Sequence, residues 1–278
     1  MIHENLNGFD NQYRAVSPDA PDRVICVRNG EVLYSDKDGE IKYPTAAETG
    51  GAGEYLFTLG GERYFSGKAE AFGEYTYHSA WELRHGTVSP GAFAGATALH
   101  LFAWYEANRF CGRCGARTRQ SDTERALVCG CGNIIYPRIN PAVIVGVTSG
   151  GRICLTKYNR PNARWSLVAG YNEVGETIEQ TVIREVGEEV GLRVKNLKYY
   201  KSQPWGISGS LLFGFFCEAD GGDELRVDGE ELKEARWFRP DEIDFGDDGF
   251  SLTREMIERF KTASSPGATD GTDIRLFP

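Results

Sequence analysis

The stretch GYNEVGETIEQTVIREVGEEVGL, residues 170–192, constrains this chain more than any other, because its spacing fits one short helix and little else. Thr177 and Gln180 stand at capping-box spacing, in which each side chain satisfies a backbone N–H of the other at a helix start, so a helix begins at Ile178. Gly191 supplies a left-handed stop after Val190. Ile178, Val182, Val186 and Val190 recur every four residues and form the stripe that buries the helix against a sheet. On the adjoining face, Glu185, Glu188 and Glu189 fall within about 100° of arc.

Three carboxylates so close repel one another, and unpaired they would protonate or destabilise the helix. A divalent cation removes the conflict. Hard oxygen ligands with room for retained water suit magnesium or manganese, which also bind substrate phosphates. Such an ion neutralises a pyrophosphate, polarises its phosphorus and lowers the pKa of bound water, while a carboxylate takes a proton from the nucleophile. Arg184 reads as an internal partner that orients a glutamate. A helix face of glutamates is usually solvated surface, but the bracketing glycines and the packed neighbouring stripe argue against that here.

Four of the seven cysteines lie within residues 111–131. Cys111 and Cys114 form one knuckle and, after fourteen intervening residues, Cys129 and Cys131 form a second. Two such turns present four thiolates to a tetrahedral ion, zinc before iron, and leave no open position for water, so the role is structural. Reactive, unliganded cysteines are the remaining reading. The second pair is C-x-C rather than C-x-x-C, and the histidines, at 3, 78, 85 and 100, all lie upstream. Cys26, Cys154 and Cys217 sit singly in apolar runs, a pattern that suits a reducing compartment better than a disulfide framework. Six arginines (Arg109, Arg113, Arg117, Arg119, Arg125, Arg138) accompany the cluster against only Asp122 and Glu124. This reads first as a solvated ribbon face and second as a resting place for a phosphate-rich ligand or RNA.

Around these signals the chain divides into three parts. Residues 1–105 mix short strand-like runs at 23–27, 31–34, 54–59 and 62–65 with a helical pattern over 91–109, and read as a mixed α/β domain rich in strand. Residues 106–137 form the ribbon. Residues 138–278 alternate strands (142–148, 152–157, 194–202, 210–219, 234–238) with helices at 178–190 and 252–262. This implies an α+β or α/β sandwich rather than an all-β barrel. The polar tail, 262–273, is expected to be mobile.

With 31 basic against 40 acidic side chains, the net charge of −9 argues against a protein held to duplex DNA by bulk electrostatics. No run approaches the apolar length of a membrane span, and the first residues lack a basic-then-apolar leader. A soluble, cytoplasmic protein is expected.

The segment from Gly170 resembles the Nudix box, G-x5-E-x7-R-E-U-x-E-E-x-G-U with U aliphatic, at Gly170, Glu176, Arg184, Glu185, Val186, Glu188, Glu189, Gly191 and Leu192. An N-terminal domain, a four-cysteine ribbon, Tyr136-Pro137-Arg138 and Ser202-Gln203-Pro204-Trp205 extend the likeness to the NADH pyrophosphatase branch of that family, whose later motif is SQPWPFPxS. The resemblance implies a C-terminal Nudix α/β/α sandwich and hydrolysis of NAD(H) to AMP and nicotinamide mononucleotide. It also implies magnesium or manganese on Glu185, Glu188, Glu189 and Glu231, and a structural zinc on Cys111, Cys114, Cys129 and Cys131. Catalytic roles fall to Glu189, Glu185 and Glu188, with Glu189 foremost and the general base unassigned. Glu176 would be structural or a distant ligand. Tyr171, Tyr136, Gln203 and Ser210 would contact substrate, and a homodimer is implied.

Gly206, Ile207 and Ser208 replace Pro-Phe-Pro of the family motif, removing a ring and two rigid residues beside the substrate. That departure keeps ADP-ribose, diadenosine polyphosphates and NAD-capped RNA open as substrates. A non-catalytic nucleotide sensor or RNA-binding adaptor would be expected to lose box carboxylates, and all are present.

Overall fold

The computed structural model describes residues 1–263 apart from 5, 38, 85–88, 228 and 247. The tail expected to be mobile lies, from residue 264 on, outside the described residues. Two compact units divide the chain: Ile2–Ile139 with Trp205–Gly209, and Asn140–Pro204 with Met1 and the described residues from Ser210 onward.

The first unit holds strands β1 (Arg23–Arg28), β2 (Glu31–Lys37), β3 (Glu40–Lys42), β4 (Tyr55–Leu59), β5 (Glu62–Gly67) and β6 (Thr76–Ser79) in one sheet, ordered β3-β2-β1-β5-β4 with β6 on β2. A one-turn helix α1 (Ala46–Thr49) follows β3, and α2 (Pro90–Ala107) is capped by Ser89. Because α2 is apolar on nearly all sides and buries Phe93, Ala96, Leu99, Leu101 and Trp104, it is a core helix rather than an amphipathic surface one. The ribbon adds three two-residue antiparallel strands, β7 (Arg119–Gln120), β8 (Leu127–Val128) and β9 (Ile134–Ile135). It is stapled to the N-terminal sheet by Arg125, which donates to the carbonyl of Leu56 at 2.5 Å. Burial pulls the pKa of this guanidinium down. Of the six ribbon arginines, therefore, Arg125 is an internal tie, and the other five are exposed.

The second unit is built on β10 (Asn140–Ser149), β11 (Arg152–Tyr158), β12 (Val168–Tyr171), β13 (Val194–Trp205), β14 (Ser210–Ala219) and β15 (Leu232–Phe238). The order is β13-β14-β10-β11-β15, with β12 on β10. β10 and β11 make the expected hairpin, pairing Ser149 with Arg152. The neighbouring β10–β14 pair is parallel, with Val145 opposite Phe215. Alternation along β10 sends Val143, Val145 and Val147 to a core shared with α3 (Ile178–Val190), and Ile144 to one shared with α4 (Leu252–Ala263). The sheet is thus covered by a helix on each face, an α/β/α sandwich. Among the described residues no helix is long and apolar enough to cross a membrane.

Candidate active site

The bounds of α3 are set by its caps. Thr177 accepts from the N–H of Gln180, whose side chain accepts from the N–H of Thr177 at 2.8 Å, and Gly191 closes the helix at φ 72°. Val182, Val186 and Val190 are fully buried, each contributing about 1.5–3 kcal/mol relative to exposure. With that stripe fixed against the sheet, the glutamate face is fixed too.

Arg184 is the hub of that face. Its Nε and Nη2 grip Glu176 at 2.6 and 3.0 Å, its Nη1 reaches Glu185 at 2.7 Å and Glu188 at 2.9 Å, and Nη2 also donates to the carbonyl of Tyr171 at 2.8 Å. Glu176 further accepts from the Thr181 hydroxyl and the N–H of Glu173. The Arg184 contact, above all, holds the Glu176 carboxyl down to about 2. Glu176 is therefore an anchor for the arginine.

The remaining carboxylates differ in exposure. The Glu188 side chain is 62% exposed and that of Glu185 13%, while Glu189 is buried, both its oxygens included. Burial pushes the Glu185 carboxyl upward against the pull of Arg184, and the charges of Glu188 and Glu231 add to the rise. Glu231, from the acidic run before β15, is thus near enough to act on Glu185. Space for the Glu185 carboxylate comes from Gly170 on β12, where a Cβ would stand 1.9 Å from the carboxyl carbon. Among the described residues these glutamates do not close into one tight group of ligand atoms, since only the cysteines do so. Arg184 lies between Glu185 and Glu188 and neutralises them. The donor set, anionic oxygens on a rigid helix, is nonetheless the chemistry that magnesium or manganese takes.

Sequence reasoning overlooked Tyr158 at the end of β11. Burial, then the charges of Glu189 and Glu231, drive its phenol pKa up, so it stands among these carboxylates. The only local signal was its place at the end of a strand, after the buried run Ile153–Thr156.

Of the residues expected to meet substrate, Tyr171 is half exposed at the end of β12, and its hydroxyl accepts from the buried Ser210 at 3.5 Å. Gln203 has another task. It is fully buried, donates to the carbonyl of Phe250 and accepts from the N–H of Leu252, each at 2.7 Å, and so pins the start of α4. Tyr136 belongs to the ribbon-bearing unit, exposed, with its hydroxyl on Glu124 at 3.3 Å.

The four ribbon cysteines bring their sulfurs within 4.8 Å of one another, a donor set that fits a tetrahedral zinc. The N–H of Arg113, the leading cause, holds the Cys111 thiol down to about 6, and the Asn133 amide assists.

A NUDIX domain model matches residues 138–260, and a model of the NADH pyrophosphatase zinc ribbon domain matches residues 106–136. Residues 138–260 are thus a Nudix domain. It is 41% identical over 162 residues to the NAD-capped RNA hydrolase NudC of Pectobacterium carotovorum, a match covering 58% of this chain and 62% of that relative. The enzyme of the same name from Escherichia coli O9:H4 is 40% identical, with 63% of it covered. The match thus spans less than two thirds of the length of these relatives. A solved Nudix hydrolase from Nitrosomonas europaea is similar over 55% of this chain and 90% of its own, at 24% identity and a TM-score of 0.48.

The chain departs from the NADH pyrophosphatase motif at a loop with its own packing. Trp205–Gly209 belongs to the N-terminal unit, with Gly206 flush on α2, where a Cβ would stand 2.0 Å from the carbonyl oxygen of Ala96. A proline at 206 has no room on that backbone.

Proposed function

We propose that this chain is a metal-dependent pyrophosphohydrolase that splits NAD(H) into AMP and nicotinamide mononucleotide. The observation that carries the reading is the gathering of Glu185, Glu188 and Glu189 on one rigid helix face, with the charge of Glu231 acting on Glu185. These four would hold magnesium or manganese. When bound, the ion would neutralise the pyrophosphate and lower the pKa of the attacking water. Arg184 keeps Glu185 and Glu188 in orientation. Glu189, shielded from solvent, is assigned the foremost catalytic role. The Tyr171 ring stacks on a base, with Ser210 steadying its hydroxyl.

The cysteines hold a structural zinc that ties the ribbon. Seven free cysteines suit the cytoplasm. The homodimer implied by the family would cover Phe110, Ile134 and Ile139, which are exposed on the N-terminal unit.

A panel of NAD(H), ADP-ribose, diadenosine polyphosphates and NAD-capped RNA, each with Mg²⁺ or Mn²⁺, tests the reading when wild type and Glu189→Gln are compared and products identified by mass. AMP and nicotinamide mononucleotide from wild type alone support it. Cleavage of ADP-ribose without NAD(H) overturns it. NAD-capped RNA is the second reading, favoured by the five exposed arginines of the ribbon segment and by the likeness to NAD-capped RNA hydrolases.

A further inference from the structure

Glu231 ends the long connection from β14 to β15, whose described residues form no helix or strand. A metal ligand on such a segment must be held by something rigid, and the strand beside it does so. Along β11 and β15, Lys157 faces Glu234 but the next residue, Tyr158, faces Leu232, so Lys233 is an extra residue, a β-bulge. The bulge seats Leu232, 1% exposed, in the α3-side core against which Tyr158 packs. Immediately beyond it, Asn159 binds three consecutive carbonyls. Its N–H donates to Glu231 at 2.9 Å, and its side-chain Nδ2 donates to Gly229 at 2.9 Å and Glu230 at 3.4 Å.

We infer that Asn159 is a positioning residue for Glu231, setting the affinity of the carboxylate site for its divalent ion. The inference rests on the metal-dependent reading above. A strand-end asparagine that merely tidied a loop would need one such bond. Here the side-chain amide spans the two residues before Glu231 while the backbone holds Glu231 itself, so the glutamate's main chain is fixed relative to β11. Tyr158, one residue earlier on β11, packs on the core that Val182, Val186 and Val190 of α3 share with Leu232, which places the clamp beside the helix that carries the other carboxylates.

The test is Mn²⁺ binding to the full chain without substrate, read from the electron paramagnetic resonance signal of free Mn²⁺, with thermal melts as a folding control. Asn159→Ala removes the side-chain bonds and leaves the N–H. It is expected to weaken Mn²⁺ binding by about tenfold, the scale on which outer groups orient metal ligands. Asn159→Ser, which keeps a shorter donor, is expected to fall between, and serves if the alanine variant does not fold. In a Glu231→Gln background Asn159→Ala should add nothing, because the ligand it positions is gone. Weakening by Glu231→Gln but not by either Asn159 variant overturns the inference and leaves the metal reading standing. So does an equal loss from Asn159→Ala in both backgrounds. Failure of wild type to bind Mn²⁺ overturns both.

Discussion

The Glu185 carboxylate occupies the space that a side chain on Gly170 would fill, its carboxyl carbon 1.9 Å from where that Cβ would stand. The first glycine of the box is thus a steric partner of a glutamate fifteen residues later, across from β12 to α3. Gly170→Ala must push Glu185 aside or shift the strand. Overpacking of this kind costs about 1–3 kcal/mol, and a displacement near 1 Å at reacting groups costs about 100-fold in rate. The expected result is a folded protein with a modestly lower Tm and a loss of NAD(H) turnover on that scale. Retained turnover would show that Glu185 has no fixed role.

Arg184 and Glu176 carry a pH signature. The Glu176 carboxyl is held at about 2 in the folded chain, against an ordinary value of 4.5, chiefly by Arg184. A depressed carboxyl contributes stability that is full above the ordinary value and is lost as pH falls through the folded one. The Tm difference between wild type and Glu176→Gln is therefore expected to be largest above about pH 4.5 and to shrink toward pH 2. A difference that is flat with pH over that range would remove the ion pair from the account.

How much of this was legible beforehand follows from how local each cause is. The bounds of α3 are set by Thr177, Gln180 and Gly191, side chains and a backbone preference that act within one turn, so the sequence states them directly. β14 was equally plain, as an uninterrupted run from Ser210. β12 was not, because its four residues carry no alternation and are made a strand only by pairing with Ala142–Val145. The ribbon strands, two residues each, are below any periodicity. Arg125 looked like its five neighbours on the ribbon, and only the carbonyl of Leu56, distant in sequence, makes it different. In the site itself the α3 glutamates were visible from spacing, whereas the role of Asn159 depends on a bulge in the β11–β15 register that no local pattern announces.

Gln203 separates a packing role from a ligand role. Gln203→Leu keeps the volume but removes the amide that links Phe250 and Leu252 to β13. The Leu252 N–H then loses its acceptor at a buried helix start, at a cost of about 1–3 kcal/mol. Denaturant titration should register that loss while KM for NAD(H) stays where it was. A raised KM at unchanged stability would return Gln203 to the substrate pocket.

The cysteine cluster predicts metal content. Purified chain should carry zinc in a single equivalent, and Cys114→Ser or Cys129→Ser should lower it, as read by atomic emission. Because binding energy at a structural zinc is folding energy, chelation should open the ribbon to proteolysis between β7 and β9, with the strands of the Nudix sheet remaining protected. Zinc-free protein with an equally resistant ribbon would contradict this.

Gly206 bears on why this chain departs from the Pro-Phe-Pro of the NADH pyrophosphatase motif. Its Cα rests on the backbone of α2, and a Cβ would meet the carbonyl oxygen of Ala96 at 2.0 Å and its carbon at 2.6 Å. Both are main-chain atoms inside a hydrogen-bonded helix, so neither can swing away as a side chain would. Gly206→Ala is expected to destabilise by about 1–3 kcal/mol. Gly206→Pro should cost more, since its ring adds bulk on the same side. Restoring Pro-Phe-Pro at 206–208 should therefore lower Tm without improving kcat/KM for NAD(H), because the loop has been refitted to α2 rather than simply weakened. If that triple variant melts at the wild-type temperature and gains activity, the loop's packing on Ala96 does not govern its sequence, and the departure is a matter of substrate choice instead.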